Sequence, residues 1–468
     1  MESFWTPHLN RRFLIVIFLA LIIWGLTDVR YRASLHPDEP HKHRTDFTVY
    51  TEAGAAFFDG RDPYEVTNSR GWKYLYPPLL ALTVAPLHGL PTHWQGLIWF
   101  ALSVAMFWGC YKESVRLLGL AFRDRSLHLE RLQPYLLLVG GCVFVAVLFP
   151  MLNCMQRGQI GVAKAYFLLL GFRLVMENRG WRRPFLGGVA MTVAVVLKIT
   201  PIVPVCFVVF QAGVAWLRKR HRTAAAPGFF GVMGGATAGL LLFFLILPAG
   251  LVGWNANLKH LGTWYQKVGN QSVEFDADNN LDNPFTVRNQ SFSNAVYRLG
   301  NWVAHVFFDG PPDKHVHLKK SGPMPMDADG VQTTVFLIRV GLVLLLFPVA
   351  VRLTGSDTVL NRSLLFGLAC VAALIVSPVA RGHYYMLQLP ALMFVPLWLY
   401  QQGENRWARR MAIIPVVLSL LHYAWVPVTG RMGLLGIGTT LWYLIVVIRL
   451  LAARVPESGT ASAPQSTS

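Results

Sequence analysis

Residues 45–78 read TDFTVYTEAGAAFFDGRDPYEVTNSRGWKYLYPP, a polar, acidic and aromatic stretch in a chain otherwise built of apolar runs. Asp46, Glu52, Asp59, Asp62 and Glu65 fall within it, a dense group in a chain with 24 acidic residues. Tyr50, Tyr64, Trp72, Tyr74 and Tyr76 accompany them, and Pro77-Pro78 stiffens the exit. So charged a segment does not lie in hydrocarbon. It is either a working loop at the bilayer surface or a solvated connector with interfacial aromatics. It follows the first hydrophobic run and precedes a long series of others.

The rest of the composition agrees with a membrane setting. The 468 residues are 54% hydrophobic and only 14% charged, with a mean hydropathy of +0.42. Soluble domains carry about 25% charged residues. The expectation is an all-α polytopic membrane protein. The net charge of +18 would suggest nucleic acid if it clustered on a soluble face, but the basic residues sit between apolar runs. They orient the chain in the bilayer, and no nucleic-acid partner is expected. Cys110, Cys142, Cys154, Cys206 and Cys370 lie in or beside apolar runs, without a CxxC or a Cys/His cluster. Neither a disulfide framework, a metal site nor a cofactor is expected.

Twelve apolar runs approach the roughly 20 residues that cross a bilayer. They cover about 12–27, 94–111, 134–150, 159–176, 185–200, 202–217, 228–250, 332–351, 363–378, 386–402, 411–427 and 433–451. The first, after Arg11-Arg12, has the shape of a signal peptide but no clean A-x-A site, so it reads as a retained helix. The run 77–90 is short and proline-rich, and reads as a half-buried segment closing the loop before it. With the N-terminus inside, the short inner loops collect Lys112, Arg116, Arg123, Arg125 and Arg131, then Arg179, Arg182 and Arg183, then Arg218, Lys219, Arg220 and Arg222, Arg352 and Arg362, and Arg406, Arg409 and Arg410, with Arg449 and Arg454 at an inner C-terminus. The short outer connectors hold only Arg157, Lys198, Arg381 and Arg431. That asymmetry is the positive-inside pattern. Residues 1–454 then form one membrane domain with two large outer loops, 28–93 and 251–331. Residues 455–468, low in complexity, form a disordered tail.

The polar clusters fall on the outer side: Asp46, MQRGQIG (155–161), LKITP (197–201), RNQSFSNAVYR (288–298) and SPVARGHYY (377–385). Convergence on one face is what a membrane-surface active site needs. A channel spreads polar groups through its depth and a transporter places them near the midplane. Lys164 and Arg339 fall inside runs, where charge is expensive. With Lys198, Arg157 and Arg381 they could form a cationic pocket for a lipid phosphate, or they could snorkel to the interface. Sugar transfer from a lipid phosphate needs one base for the acceptor hydroxyl and cations for the leaving phosphate. Asp46 is the candidate base; its alternative is capping a helix beginning at 47–58. His383 could bond the phosphate or merely pack on Tyr384 and Tyr385. Gln159 and Asn289 could hold sugar hydroxyls or bridge helices. Tyr76 completes the candidate set. Asp276-Ala-Asp278 has the form of a weak D-x-D metal motif.

At these residues the chain resembles glycosyltransferase family 87. The matching pieces are 46–64, YLYPPLLALTVAPL (74–87), RGQIG (157–161), LKITP (197–201), NQSFSNAVYR (289–298) and SPVARGHYYMLQLP (377–390). The last departs from the family pattern, which often carries a tryptophan and paired histidines where this chain has Ala380-Arg381-Gly382-His383-Tyr384. The resemblance implies a GT-C fold with about twelve transmembrane helices, an outward catalytic loop with Asp46 as catalytic aspartate, and metal-independent inversion. It also suggests a role for His383 near the donor phosphate. The expected activity is transfer of a hexose, mannose foremost, from a polyprenyl-phosphate donor to a glycolipid or glycan acceptor outside the cytoplasmic membrane. The alternatives are a transporter or flippase of a lipid-linked sugar, or a related enzyme using another donor such as an arabinosyl lipid.

Overall fold

The computed structural model describes residues 7–34, 43–177, 180–218, 222–269, 288–304, 329–353 and 358–452. Asp276 and Asp278 lie outside the described residues, as do most of the expected second outer loop and the C-terminal tail. Every regular element among the described residues is helical.

The helices are α1 (Pro7–Ala33), α2 (Thr48–Phe58), α3 (Pro78–Val84), α4 (Thr92–Arg123), α5 (Leu129–Arg157) and α6 (Gly161–Glu177). They continue with α7 (Arg182–Leu197), α8 (Ile202–Leu217), α9 (Arg222–Leu240), α10 (Leu247–Val252), α11 (Trp254–Trp264) and α12 (Phe292–Ala304). The last are α13 (Asp329–Leu344), α14 (Leu346–Leu353), α15 (Val359–Val376), α16 (Leu389–Gln401), α17 (Asn405–Ala424), α18 (Val426–Thr429) and α19 (Leu434–Ala452). A π-helical segment, Leu241–Ile246, joins α9 to α10. Each of the twelve apolar runs falls on a helical segment. Among the described residues, five helical stretches are long and apolar enough to cross a membrane: Leu129–Arg157, Ala226–Val252, Thr333–Leu353, Val359–Val376 and Leu434–Ala452. The short run 77–90 is α3 followed by a single 3-10 turn, Ala85–Gly89, packed on α2.

Helix α15 runs through the core. Its residues from Leu360 to Ile375 are almost all buried, which is why 364–376 is apolar on every face. Phe366 stacks on Phe172 of α6 at 4.1 Å. Helices α6, α7 and α9 meet through Gly171, Gly187, Gly188 and Gly235, where a side chain would strike the neighbouring backbone. Deeper along α4 and α6, buried Glu113 and Arg173 pair at 2.5 Å, and Arg173 also bonds Glu177 at 2.7 Å.

The bundle has two distinct ends. At one, Asp124 accepts from the amide of Val359 at 2.6 Å, Gln401 accepts from that of His128 at 3.1 Å, and Arg218 donates to Val351 at 2.7 Å. These are the loops rich in lysine and arginine. At the other end meet 43–47, 157–161, 197–201, 288–294 and 377–388. There the Asp46 amide donates to the Arg157 carbonyl at 3.0 Å and the Gln290 amide to that of Ala380 at 2.7 Å. The polar motifs, remote in sequence, therefore share one end of one helical bundle.

Candidate active site

The site is built on the corner between α5 and α6. Helix α5 ends at Arg157; Gly158 follows with φ +69°, the left-handed closure that favours glycine. A Cβ there would also lie 2.6 Å from the Cβ of Phe47. The corner passes so close under the 44–47 segment that only glycine fits, and this brings Asp46 against Arg157 and Gln159.

Asp46 is 7% exposed. One carboxylate oxygen bonds the Arg70 guanidinium; the other accepts from Gln159 Nε2 at 3.0 Å and faces Arg157 Nη1 at 3.8 Å. Gln159 Oε1 in turn accepts from the Tyr50 hydroxyl at 3.2 Å. The capping alternative for Asp46 is not realised: α2 starts at Thr48 behind Phe47 and no side chain caps it. Tyr50 packs edge-on against Tyr76 at 5.5 Å, and Phe47 stacks on Trp99 at 5.0 Å. Burial pushes the Tyr50 and Tyr76 phenols well above their ordinary pKa, so both stay protonated.

The cationic wall comes from other elements. Lys198, just past α7, bonds the Tyr384 hydroxyl, with its ammonium 3.7 Å from the Tyr384 ring centre and 5.4 Å from that of Tyr76. Arg381 lies over the Trp72 ring at 4.9 Å. His383, 2% exposed, packs edge-on against Tyr384 at 4.6 Å, and its Nε2 has no hydrogen-bond partner among the described residues. Burial, then the charges of Arg381, Lys198, Lys164 and Arg157, hold the His383 pKa well below the ordinary histidine value. His383 is a neutral imidazole here. Arg157 shares the field of Asp46, Arg288, Arg381 and Arg70, so the two halves form one electrostatic unit: a single carboxylate facing several cations.

Two expectations take a different form. The Asn289 amide is engaged by backbone: it donates to Pro378 at 3.2 Å and accepts from Ala380 at 2.9 Å and Ser291 at 3.1 Å. It pins the loop that carries Arg381, with one Nδ2 hydrogen engaged by Pro378. Neither Lys164 nor Arg339 snorkels. Lys164 is fully buried, and Arg339 donates to the Val376 carbonyl at the end of α15. Arg339 thus ties down a helix terminus. Arg70 was not anticipated at all. Its signal is faint: it and Arg61 are the two arginines of 45–78.

The family model for glycosyltransferase family 87 matches residues 74–378. The chain belongs to glycosyltransferase family 87. No curated protein and no solved structure matches it. Tyr76, Arg157, Gln159, Lys198 and Asn289 lie within the family 87 match, whereas Asp46 and Arg70 precede it and Arg381 and His383 follow it. Geometry joins these flanking residues to the matched part: Asp46 through Arg157 and Gln159, and Arg381 through its bridge to Asn289. Family 87 membership together with the apolar helices makes this a membrane glycosyltransferase, acting with a sugar donor and an acceptor at a bilayer.

Proposed function

We propose that the protein transfers a hexose, mannose foremost, from a polyprenyl-phosphate donor to an extracytoplasmic glycolipid or glycan, with inversion at the anomeric carbon. The reading adopts a GT-C architecture in the cytoplasmic membrane, with the Asp46 end of the bundle outward. The observation that carries it is the pairing of one buried carboxylate, Asp46, with a wall of Arg157, Lys198, Arg381 and His383.

Each carboxylate oxygen can accept a second hydrogen bond, so Asp46 receives the acceptor hydroxyl while Gln159 and Arg70 hold it in place. As the acceptor oxygen bonds to C1, its proton passes to Asp46. The bond from C1 to the phosphate oxygen breaks, and its electron pair stays on the phosphate. Lys198 and Arg381 bind the phosphate through the charge it already carries, and neutral His383 donates a hydrogen bond to it. Gln159 and the Tyr50–Tyr76 wall border the sugar. One base on one face gives direct displacement; a β-linked donor yields an α-linked product.

The test uses purified protein in lipid nanodiscs with a labelled polyprenyl-phosphate mannose and a glycolipid acceptor. A new α-glycosidic linkage by NMR, abolished in Asp46→Ala, is expected. Full transfer by Asp46→Ala would overturn the mechanism. Translocation of the donor without a glycosidic product would make the protein a transporter, and preference for an arabinosyl donor in competition would replace the sugar.

A further inference from the structure

Lys164 stands three residues after α6 begins at Gly161, with its side chain fully buried and its ammonium without a hydrogen-bond partner among the described residues. It lies 4.8 Å from the ring centre of Tyr384, the same ring that Lys198 approaches at 3.7 Å. The two ammonium groups are thus no farther apart than those two distances joined end to end, and they repel each other. His383 feels both. A buried, unsatisfied amino group costs several kcal/mol unless something pairs with it. Lys198 has Tyr384; among the described residues Lys164 meets only the aromatic face of Tyr384 and has no hydrogen-bond partner.

The charge balance of the proposed reaction gives this second cation a task. A sugar–phosphate–lipid diester carries one negative charge. When the bond from C1 to oxygen breaks, the electron pair remains on the phosphate, and the released monoester approaches two charges above its second pKa of about 6. A cation that meets only the second charge contributes more in the transition state than in the ground state, and so raises kcat. Resting on the lipid-phosphate reading above, we propose that Lys164 is a catalytic residue that receives the second negative charge developing on the departing lipid phosphate, while Lys198 holds the charge already present on the donor. In this division Lys198 sets donor affinity and Lys164 sets turnover and the retention of product.

The experiment compares wild type, Lys164→Met and Lys164→Arg in nanodiscs. Methionine keeps the buried stem's length and apolar character, and arginine restores the charge. Lys164→Met is expected to lower kcat about 10²-fold, the scale for losing one preorganised group at a developing anion, with donor KM within about threefold of wild type. Lys164→Arg recovers most of the loss. In a separate binding measurement that needs no turnover, made at one fixed pH of about 6.5, wild type is expected to bind polyprenyl phosphate more tightly than the diester donor, because the monoester carries more negative charge above its second pKa of about 6. Lys164→Met loses that preference while its affinity for the diester donor is kept. Unchanged kcat in Lys164→Met, or equal loss of monoester and diester binding, overturns the assignment. If wild type transfers no sugar from any polyprenyl-phosphate donor, the functional reading fails by itself; the binding comparison still decides Lys164, since a wild-type preference for the monoester in Lys164→Met overturns it.

Discussion

Asp46 and Arg157 are joined twice: the Asp46 amide donates to the Arg157 carbonyl at 3.0 Å, and its carboxylate faces the Arg157 guanidinium at 3.8 Å. The base is thereby fixed to the end of α5 through backbone as well as side chain. Gln159, two residues on, takes the same carboxylate oxygen at 3.0 Å. The direction of the carboxylate is set by one helical corner rather than by a loose loop.

Asp46→Asn keeps the size of the side chain and its contact with Arg157's backbone but removes the proton acceptor. Transfer is expected to fall about 10²–10⁴-fold, the usual span for a general base. Donor binding, followed by displacement of a fluorescent lipid phosphate, should stay near wild type. Loss of donor binding in step with turnover would show that Asp46 shapes the donor site instead.

Gly158→Ala forces a side chain into the left-handed region and against Phe47. The conformational cost and the overlap together amount to about 2–4 kcal/mol. Thermal unfolding in detergent should show the loss, and activity at permissive temperature should drop because Phe47 carries Asp46 with it. A Gly158→Ala protein with unchanged midpoint and turnover would contradict this packing.

Lys198→Met removes the ammonium that bonds Tyr384 and lies over Tyr76. A charge-assisted hydrogen bond contributes about 1.5–3 kcal/mol. Donor KM should therefore rise about 10- to 100-fold, measured with saturating acceptor. A change confined to acceptor KM would move Lys198 out of the donor site.

His383 supplies a pH signature. Its folded pKa lies well below its ordinary value of 6.5, so the unfolded chain takes up the proton first. The stability that its neutral form contributes is complete above about pH 6.5 and is lost as pH falls through the folded value. The thermal midpoint should drop between about pH 7.5 and about pH 5.5. His43 and His260 are shifted in the same direction, so a residual drop is expected in His383→Asn. An identical drop in the variant would show that His383 does not contribute.

Much of this was legible in the residues, for physical reasons. Hydrophobic runs and the distribution of lysine and arginine read directly as helices and as two ends, because the bilayer imposes both. The motif order brought Asp46, Arg157, Gln159, Lys198, Arg381 and His383 to one end. What escaped was pairing across long separations. Arg70 on Asp46 depends on how residues 65–73 fold back, and no spacing encodes that. Glu113 and Arg173 sit sixty residues apart on helices whose mutual rotation a one-dimensional reading does not supply. The backbone bonds that Asn289 makes to Pro378, Ala380 and Ser291 likewise join segments about ninety residues apart or turn locally, and its polar motif does not reveal them.

Helix α5 has 29 residues, a length of roughly 44 Å at 1.5 Å per residue. The hydrocarbon layer is about 30 Å thick. The surplus is long enough for the Arg157 end of the helix, and Asp46 with it, to reach the height of the lipid headgroups in the proposed arrangement. For the lipid-linked donor proposed above, the substrate would glide sideways into position within the leaflet, and the enzyme's working concentration would be a surface density rather than a molarity.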